Sequence, residues 1–513
     1  MLHAPSSPAG PTGARHARRR EERPARQDRG GARHRSRRWW TRPAVLLVVA
    51  GTVAGGAQLG GGEQAQAAAS DVTLTGHGFG HGRGLSQWGS YGYAVDKGWS
   101  SARILDRYYG GTTAGTVGND EISVRLMGLE GAQTIGLTSG ADFFVEGQQV
   151  PAGSIARFTR QGSTWMLTTA AGGCRAPEPA PTTSPSTDGS GSTSSTGPVD
   201  VGGSPAVWIP GGAGDDRSRM FTVCNTGAPY RGNFRPVVEA NGATHLVNHV
   251  PLEQYLRGVV PAESPAAWGD AAGGAGMAAL EAQAVAARSY SRAENRYSYA
   301  QTCDTTACQV YAGAAKEDRR TDTAIRNTAG VIRRDAKGGV VRTEFSASTG
   351  GWTAGGQFPA VEDEGDVRSP HHDWKVVVDG PRIARAWPKI GTFTSMQVTA
   401  RNGLGADGGR ATRVVITGTS GSVTATGNEV RSALGLKSDW FSVVTPSGQQ
   451  WMLRGTPDSG ETRPASIAGS SCSAGTSRMT SSPSRRQCHS AATPRAVSHF
   501  SAIIRSSIAC ASA

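Results

Sequence analysis

The clearest periodicity in the chain follows Pro251, where apolar side chains recur at helical spacing. Leu252, Tyr255, Leu256 and Val259 fall at positions i, i+3, i+4 and i+7, which is typical of a helix with one buried stripe. Proline suits the first position of a helix, because its missing N–H has no helical partner there. The pattern therefore predicts a short helix packed against a core.

This predicted helix leads to an acidic residue, Glu263, which lies between Pro261 and Pro265. Both prolines predict that the helix ends before Glu263, because proline interrupts helical hydrogen bonding and restricts the preceding residue. A carboxylate held stiffly beside apolar residues can have its pKa raised by desolvation, as a general acid at neutral pH requires. Glu263 is therefore the candidate catalytic residue, and the alternative is a solvated glutamate in a proline-rich loop.

Other segments show either helical or strand-like patterns. Residues 95–109 and 428–436 are predicted to be helical, whereas β-branched runs such as 163–168 and 413–417 predict strands. We therefore expect an α+β fold, with a mixed helix and strand domain and a β-rich accessory region.

Changes of composition divide the chain into seven regions. These are a basic N-terminal region (1–43), an apolar segment (44–69), a Gly/His motif segment (70–118), a β-rich accessory region (119–175), a Ser/Thr/Pro/Gly insert (176–204), the main domain (205–445) and a tail (446–513). The insert has almost no apolar side chains, which predicts a flexible segment. The tail is predicted to be disordered, with a frame-shifted end as the alternative.

The start of the chain has the layout of a secretory signal, because a basic stretch precedes an apolar run and then small residues. We expect export to the extracellular space or the cell wall, and the alternative is an uncleaved N-terminal membrane anchor. The net charge is +13, but residues 1–42 carry +9 and residues 451–513 carry +5, which leaves the middle at about −1. This near-neutral middle argues against nucleic acid as a partner.

A glycine- and histidine-rich segment, residues 76–84, allows several interpretations. A dinucleotide-binding loop is excluded, because no register places glycines at the first, third and sixth positions. A zinc site would have only His77 and His81 as ligands, with no obvious third. A tight loop that presents His81, Ser86 and Gln87 fits the glycine density, and a purely structural loop is the alternative.

Five segments together resemble the stage II sporulation protein D / LytB amidase-enhancer (SpoIID/LytB) family. They are residues 248–265 around Glu263, 280–290, 308–311, 346–353 and the Gly/His segment 80–89. In this family the Gly/His motif usually follows the other motifs, but here it precedes them. If the fold is retained, the N-terminal segment must return to the same cleft, as in a circular permutation.

The resemblance implies an exported lytic transglycosylase that cleaves peptidoglycan glycan strands with Glu263 as the general acid. Ordinary glycoside hydrolysis uses two carboxylates, and no second acid stands out in this sequence. A lytic transglycosylase needs no carboxylate to activate water, because the 6-hydroxyl of muramic acid attacks and forms a 1,6-anhydro end. The enhancer branch implies the alternative, a non-catalytic protein that binds glycan or a cell-wall amidase and stimulates it. No cofactor is expected.

The resemblance also implies a set of candidate substrate-binding residues, each with a structural alternative. Arginine near a helix end, for example, commonly binds backbone carbonyls instead of a ligand. The candidates are Arg257, Gln283, Arg288, Tyr290, Ser348, Gly350, Gly351, His81, Ser86 and Gln87.

The seven cysteines are too few for a disulfide scaffold but fit an exported enzyme with one or two bridges. Cys174 and Cys224 flank the insert and form one candidate pair, and Cys303 and Cys308 form another. Some members of the family bind zinc near the second pair, with a histidine just before the second cysteine. That position is Ala307 here, so we expect a disulfide and no metal.

Overall fold

The computed structural model describes residues 71–176, 196–212 and 214–444. The basic region, the apolar segment, most of the insert and the tail, for which the sequence makes predictions, lie outside these residues. Within the described ranges, no helix has both the length and the apolar character needed to cross a bilayer.

The described residues form seven α-helices. They are α1 (Gln87–Lys97), α2 (Ser101–Tyr108), α3 (Leu252–Glu263), α4 (Met277–Ala293), α5 (Arg319–Asn327), α6 (Gly380–Ala386) and α7 (Gly427–Leu434). The prediction of one helix at 95–109 is wrong, because Gly98 adopts a left-handed φ of 60° and ends α1. The helix predicted at 428–436 is α7.

The same ranges form 23 β-strands. They are β1 (Val72–His77), β2 (Leu85–Ser86), β3 (Thr113–Thr116), β4 (Glu121–Arg125), β5 (Thr134–Ser139), β6 (Phe143–Val145), β7 (Gln148–Val150), β8 (Ser154–Gln161), β9 (Thr164–Ala171), β10 (Thr196–Asp200), β11 (Val207–Trp208), β12 (Phe221–Val223), β13 (Ala228–Tyr230), β14 (Asn233–Val238), β15 (Thr244–Pro251), β16 (Thr302–Cys303), β17 (Val331–Arg334), β18 (Phe345–Ser346), β19 (Asp373–Val378), β20 (Phe393–Arg401), β21 (Ala411–Gly418), β22 (Gly421–Ala425) and β23 (Phe441–Val444).

Two large sheets share one hydrophobic core with α3. The seven-stranded sheet has the order β16-β4-β15-β14-β11-β6-β7, and the six-stranded sheet has the order β10-β9-β8-β5-β12-β13. The β16–β4 pair is parallel, and the other pairs of both sheets are antiparallel. Side chains of both sheets and of α3 and α4 meet in this core. The expected α+β class is therefore confirmed.

The apolar stripe of α3 is buried, as its spacing predicts. Leu252, Tyr255, Leu256 and Val259 are all 0% exposed and belong to the core of the two sheets. Pro251 is the last residue of β15 and precedes α3, so it is not the first helical residue. The strand leads directly into the helix, and the fixed backbone of proline suits this turn.

The N-terminal segment packs against elements that follow α5 in the sequence. Strand β1 lies between β19 and β23, and β2 pairs in parallel with β18. Gly84 permits the second contact: its φ is +65°, and a Cβ there would lie 2.0 Å from the carbonyl oxygen of Glu344. Helices α1 and α2 share a second core with α4. The Gly/His segment therefore lies beside the residues that follow α5.

Candidate active site

Glu263 is the last residue of α3, so the prediction that Pro261 ends the helix is wrong. Proline removes one helical hydrogen bond, to the carbonyl of Arg257, but this loss falls in the last turn. The backbone N–H of Ser264 donates to the carbonyl of Val260 and closes that turn. The carboxyl group of Glu263 is thus carried on the end of a helix whose other face is fixed in the core.

Two donors hold the two oxygens of the Glu263 carboxyl group. Oε1 accepts from the backbone N–H of Val310 at 2.8 Å, and Oε2 accepts from Nε2 of Gln87 at 3.1 Å. Burial raises the pKa of Glu263, and the two hydrogen bonds oppose this shift only in part. The geometry therefore favours a carboxyl group that retains its proton at higher pH than an ordinary glutamate does.

The two donors differ in what they can do when Glu263 is protonated. A backbone N–H can only donate, so Val310 keeps Oε1 as an acceptor and directs the proton to Oε2. The side-chain amide of Gln87 has both a donor and an acceptor, so it can bind Oε2 in either protonation state after a flip. The arrangement suits a group that releases and recovers a proton at one oxygen.

Glu263 lines a cavity of about 320 Å³ between the Gly/His segment and α4. This segment and the start of α1 contribute Phe79, Gly80, His81, Arg83 and Gln87 to its walls. The other lining residues are Tyr290, Thr306, Ala307, Cys308, Arg342, Glu344, Phe345, Ser346, Ala347 and Arg431. Of the candidate residues that we infer from the sequence, the structure thus brings Glu263, His81, Gln87 and Tyr290 together.

His81 is neutral in this cavity. Burial, followed by the charge of Arg83, lowers the pKa of His81 to about 4. Its Nδ1 accepts the backbone N–H of Arg83 at 3.0 Å, which fixes the orientation of the ring. His81 is therefore a polar but uncharged part of the wall at neutral pH.

A second carboxylate in the cavity, Glu344, does not stand out in the sequence. Nε of Arg83 donates to its Oε2 at 2.6 Å, and Nη1 of Arg342 donates to its Oε1 at 2.7 Å. Burial opposes ionisation, but the hydrogen bonds and charges of the two arginines outweigh it and lower the pKa of Glu344. The cavity therefore pairs a carboxyl of raised pKa with an ionised one. The sequence signal is weak, because Arg83 and Glu344 are 261 residues apart.

Of the two candidate residues Tyr290 and Gln283 on α4, one lines the cavity and the other does not. The hydroxyl of Tyr290 accepts from Nη2 of Arg342 and lines the cavity. Gln283 lies seven residues earlier, is 1% exposed, and has no hydrogen-bond partner for either amide atom among the described residues. Gln283 is not among the lining residues.

Ser86, Ser348 and Gly350 bind a buried carboxylate, Asp366, and not the cavity. The hydroxyls of Ser86 and Ser348 donate to Asp366 at 2.9 and 2.8 Å, and the N–H of Gly350 donates at 2.9 Å. The carbonyl of Gly351 accepts from the backbone N–H of the neighbouring Asp363 at 2.8 Å. These residues fasten the turn at 346–353 to the start of α1, and so support the wall that carries Gln87.

Arg257 and Arg288 have protein partners outside the cavity. Nη2 and Nε of Arg257 donate to Asp322 at 2.9 and 3.1 Å. Arg288 is 0% exposed, and its Nη2 and Nε donate to Glu253 at 2.7 and 2.8 Å. Both arginines join α3 to neighbouring helices, which is the structural alternative that the sequence leaves open.

Both candidate cysteine pairs form disulfides. Cys174 is bonded to Cys224 and Cys303 to Cys308. Cys308 and Ala307 line the cavity, so the second bridge lies close to Val310 and the Glu263 carboxyl. Within the ranges that the structure describes, no cluster of three or more His, Cys, Asp or Glu side chains is arranged to hold a metal ion.

Comparisons with known proteins match part of the chain. The family model "Stage II sporulation protein" (SpoIID) matches residues 240–333, from β15 through β17. The amidase enhancer of Bacillus subtilis is 31% identical over 134 residues, which are 25% of this chain and 17% of that protein. An uncharacterized protein of Brachyspira hyodysenteriae is 34% identical over 138 residues, 26% of this chain and 34% of that protein.

The chain thus covers about a sixth and a third of the lengths of these two relatives. No solved structure matches it. The matched range contains Glu263, the helix α4 and Val310, whereas Gln87 comes from outside it. The motifs of the sequence, the family model and the similarity to the amidase enhancer agree, and this chain is therefore similar to SpoIID/LytB proteins over residues 240–333.

Proposed function

We propose that this protein is an exported lytic transglycosylase that cleaves the glycan strands of peptidoglycan, with Glu263 as its general acid. The observation that carries the proposal is the Glu263 carboxyl, which has a raised pKa and is held at both oxygens in a cavity. The similarity of residues 240–333 to SpoIID/LytB proteins supports a role at the cell wall. Two disulfides fit an oxidising compartment outside the cytoplasm.

In this proposal Oε2 of Glu263 donates its proton to the glycosidic oxygen as the bond from that oxygen to C1 breaks. The 6-hydroxyl of the same muramic acid attacks C1, and its proton passes to the ionised Glu263. The products are a 1,6-anhydro end and a free hydroxyl end, and Glu263 has recovered its proton. Gln87 stays bound to Oε2 during the transfer, because its Nε2–H can donate to a lone pair of Oε2 while the proton of Oε2 faces the glycosidic oxygen.

Glu344 has no assigned role as a base. Arg83 and Arg342 both donate to its carboxylate, which lowers its pKa and makes it a poor acceptor of a proton from water. Its ionic contacts instead support the wall that carries His81 and Gln87. Among the described lining residues Glu263 is therefore the one carboxyl outside an ion pair, which is consistent with internal attack by the substrate's own hydroxyl.

The proposal is tested by the release of soluble fragments from glycan strands. Glu263→Gln keeps the size of the side chain and an oxygen for Val310 but has no acidic proton, so we expect at least about a hundredfold loss of rate. Glu362→Gln is the matched control, because Glu362 is exposed and its side chain lies outside the cavity. Equal rates for the two variants would exclude Glu263 as the acid.

The name of the Bacillus subtilis relative, amidase enhancer, favours a second candidate function. In that case the protein binds glycan or a cell-wall amidase and stimulates the amidase without cutting glycan. Pull-down and activity assays with an amidase from the same organism test it, and Glu263→Gln should then stimulate as well as the parent protein does. If the protein neither binds nor stimulates the amidase, this candidate is excluded.

A further inference from the structure

One guanidinium group in the wall of the cavity has no carboxylate within ion-pair distance among the described residues. Arg431 lies on α7, and its Nη1 donates to Oδ1 of Asn428 at 3.3 Å. Its Nε is buried and has no hydrogen-bond partner among the described residues. No carboxylate of the described chain lies within 4.0 Å of its nitrogens, although other arginines around the cavity have such partners.

The surroundings of Arg431 make this charge unfavourable when the cavity is empty. Burial lowers the pKa of Arg431, the nearby Asp439 opposes that shift, and the charges of Arg410 and Arg83 reinforce it. Asp439 is already held by Arg410 at 2.5 Å, and Glu344 is shared by Arg83 and Arg342. Arginine nevertheless keeps its charge at neutral pH, so Arg431 brings to the cavity a positive charge that forms no close ion pair within the described part of the chain.

A half-buried charge that contacts no carboxylate is unfavourable, and a ligand that supplies a carboxylate reduces this cost. The guanidinium group matches a carboxylate especially well, because its parallel N–H donors can bind both oxygens. Glycan strands of peptidoglycan offer such groups only on muramic acid: the lactyl carboxylate where the peptide has been removed, or the carboxylates of the peptide where it remains. Chitin oligosaccharides have the same glycosidic linkage and acetamido groups but no carboxylate.

We propose that Arg431 forms an anion subsite in the Glu263 cavity and binds a carboxylate carried by a muramic acid residue of the strand. The identity of the strand rests on the proposed function, but the site itself rests on the guanidinium group of Arg431, whose Nε has no hydrogen-bond partner among the described residues. Arg431 lies outside residues 240–333, which the family model matches. This subsite gives the cavity a means to distinguish peptidoglycan strands from neutral glycans of the same backbone.

The test is calorimetric binding with the full chain carrying Glu263→Gln, so that the ligands remain uncut. The ligands are peptide-free glycan strands, peptide-bearing strands and chitin oligosaccharides. Adding Arg431→Met should weaken binding of the carboxylate-bearing strands roughly tenfold or more, as loss of a charged hydrogen bond does, and leave chitin binding unchanged. Arg431→Lys should recover part of the loss, and Arg413→Met removes an exposed charge outside the cavity as the matched control.

Each outcome decides the inference. A loss confined to peptide-free strands assigns the lactyl carboxylate, and a loss confined to peptide-bearing strands assigns the peptide carboxylates; both support the subsite. No loss for either, or an equal loss for chitin, overturns it, because Arg431 is then dispensable or merely supports the wall. If the Glu263→Gln parent binds no glycan, the subsite fails. Cleavage by the protein without Glu263→Gln decides the proposed function separately.

Discussion

At the scale of single residues, two hydrogen-bond partners of different chemistry orient the carboxyl of Glu263. The N–H of Val310 is a fixed donor to Oε1, whereas the amide of Gln87 can face Oε2 as donor or acceptor. Burial supplies the raised pKa, and the contacts supply the orientation. Gln87 is therefore a positioning residue for the proton on Oε2.

The pH dependence of the reaction tests this account of Glu263. Because the acid must be protonated, the rate should fall as pH rises through its raised pKa. Gln87→Leu removes a hydrogen bond that lowers this pKa, so we expect the falling limb to move to higher pH while the maximal rate drops about tenfold. The measurement is the rate of fragment release against pH.

Gln133→Leu is the matched control for Gln87→Leu, because Gln133 is exposed and does not line the cavity. It should leave both the rate and the position of the limb unchanged. His81 cannot produce a falling limb near neutrality, because its pKa is about 4. If the falling limb of the pH–rate profile did not move in Gln87→Leu, the hydrogen bond assigned between Gln87 and Glu263 would be contradicted.

At the scale of structural elements, Asp366 connects the turn at 346–353 to α1. Its Oδ1 accepts from Ser86 and the N–H of Thr349, and its Oδ2 accepts from Ser348 and the N–H of Gly350. Burial, with repulsion from Asp366, also raises the pKa of the adjacent Asp363 to about 7. Two buried carboxyls thus hold one wall of the cavity in place.

Asp366→Asn should lower the free energy of unfolding by about 3 kcal/mol. In either orientation of the new amide, its NH₂ group faces a backbone N–H, of Thr349 or of Gly350, which needs an acceptor. Asp373→Asn is the control, because the Asp373 side chain is 73% exposed and its loss should cost less than about 1 kcal/mol. Urea unfolding of both variants measures the difference, and equal stability would contradict the role of Asp366.

The two disulfides should differ in what they contribute to stability and to activity. Cys174–Cys224 closes a separation of 50 residues and Cys303–Cys308 one of 5, so chain entropy gives about 4 and about 2 kcal/mol respectively. Replacing each pair by alanine should therefore destabilise the first variant more. The second should lose more activity, because Cys308 lines the cavity. Urea unfolding and fragment release, measured on both variants, test this. If one variant lost more of both stability and activity, the prediction would be wrong.

At the scale of the whole molecule, residues distant in sequence build one cavity. Gln87 and Arg83 come from the N-terminal segment, Glu263 from α3, and Arg431 from α7. The β1–β19 and β2–β18 pairings bring the N-terminal segment to this place. The motif order, permuted relative to the family, is thus compatible with a common cleft.

Local physics made part of this structure predictable. The apolar spacing after Pro251 identified the stripe of α3, and the stiff setting of Glu263 identified a carboxyl whose pKa burial raises. The end of α1 was harder to predict, because Gly98 ends this helix inside a stretch whose pattern is helical throughout. The predicted break at Pro261 was wrong, because the last turn loses only one hydrogen bond there.

Long-range pairing could not be predicted from the sequence. Arg83 and Glu344 are 261 residues apart, and neither has a local pattern that points to the other. Ser348 and Gly350 resemble a substrate-binding turn, but the buried Asp366, which binds them, is an ordinary acid in the sequence. Only the fold shows which polar side chains bind each other and which, like Arg431, are left for a ligand.

The most direct test of the central claim is mass spectrometry of glycan ends formed by the full chain in water labelled with ¹⁸O. Internal attack by the 6-hydroxyl predicts 1,6-anhydro ends that contain no label, and their loss in Glu263→Gln. Reducing ends that carry one labelled oxygen would contradict the account, because water would then be the nucleophile and Glu344 would need a role as its base.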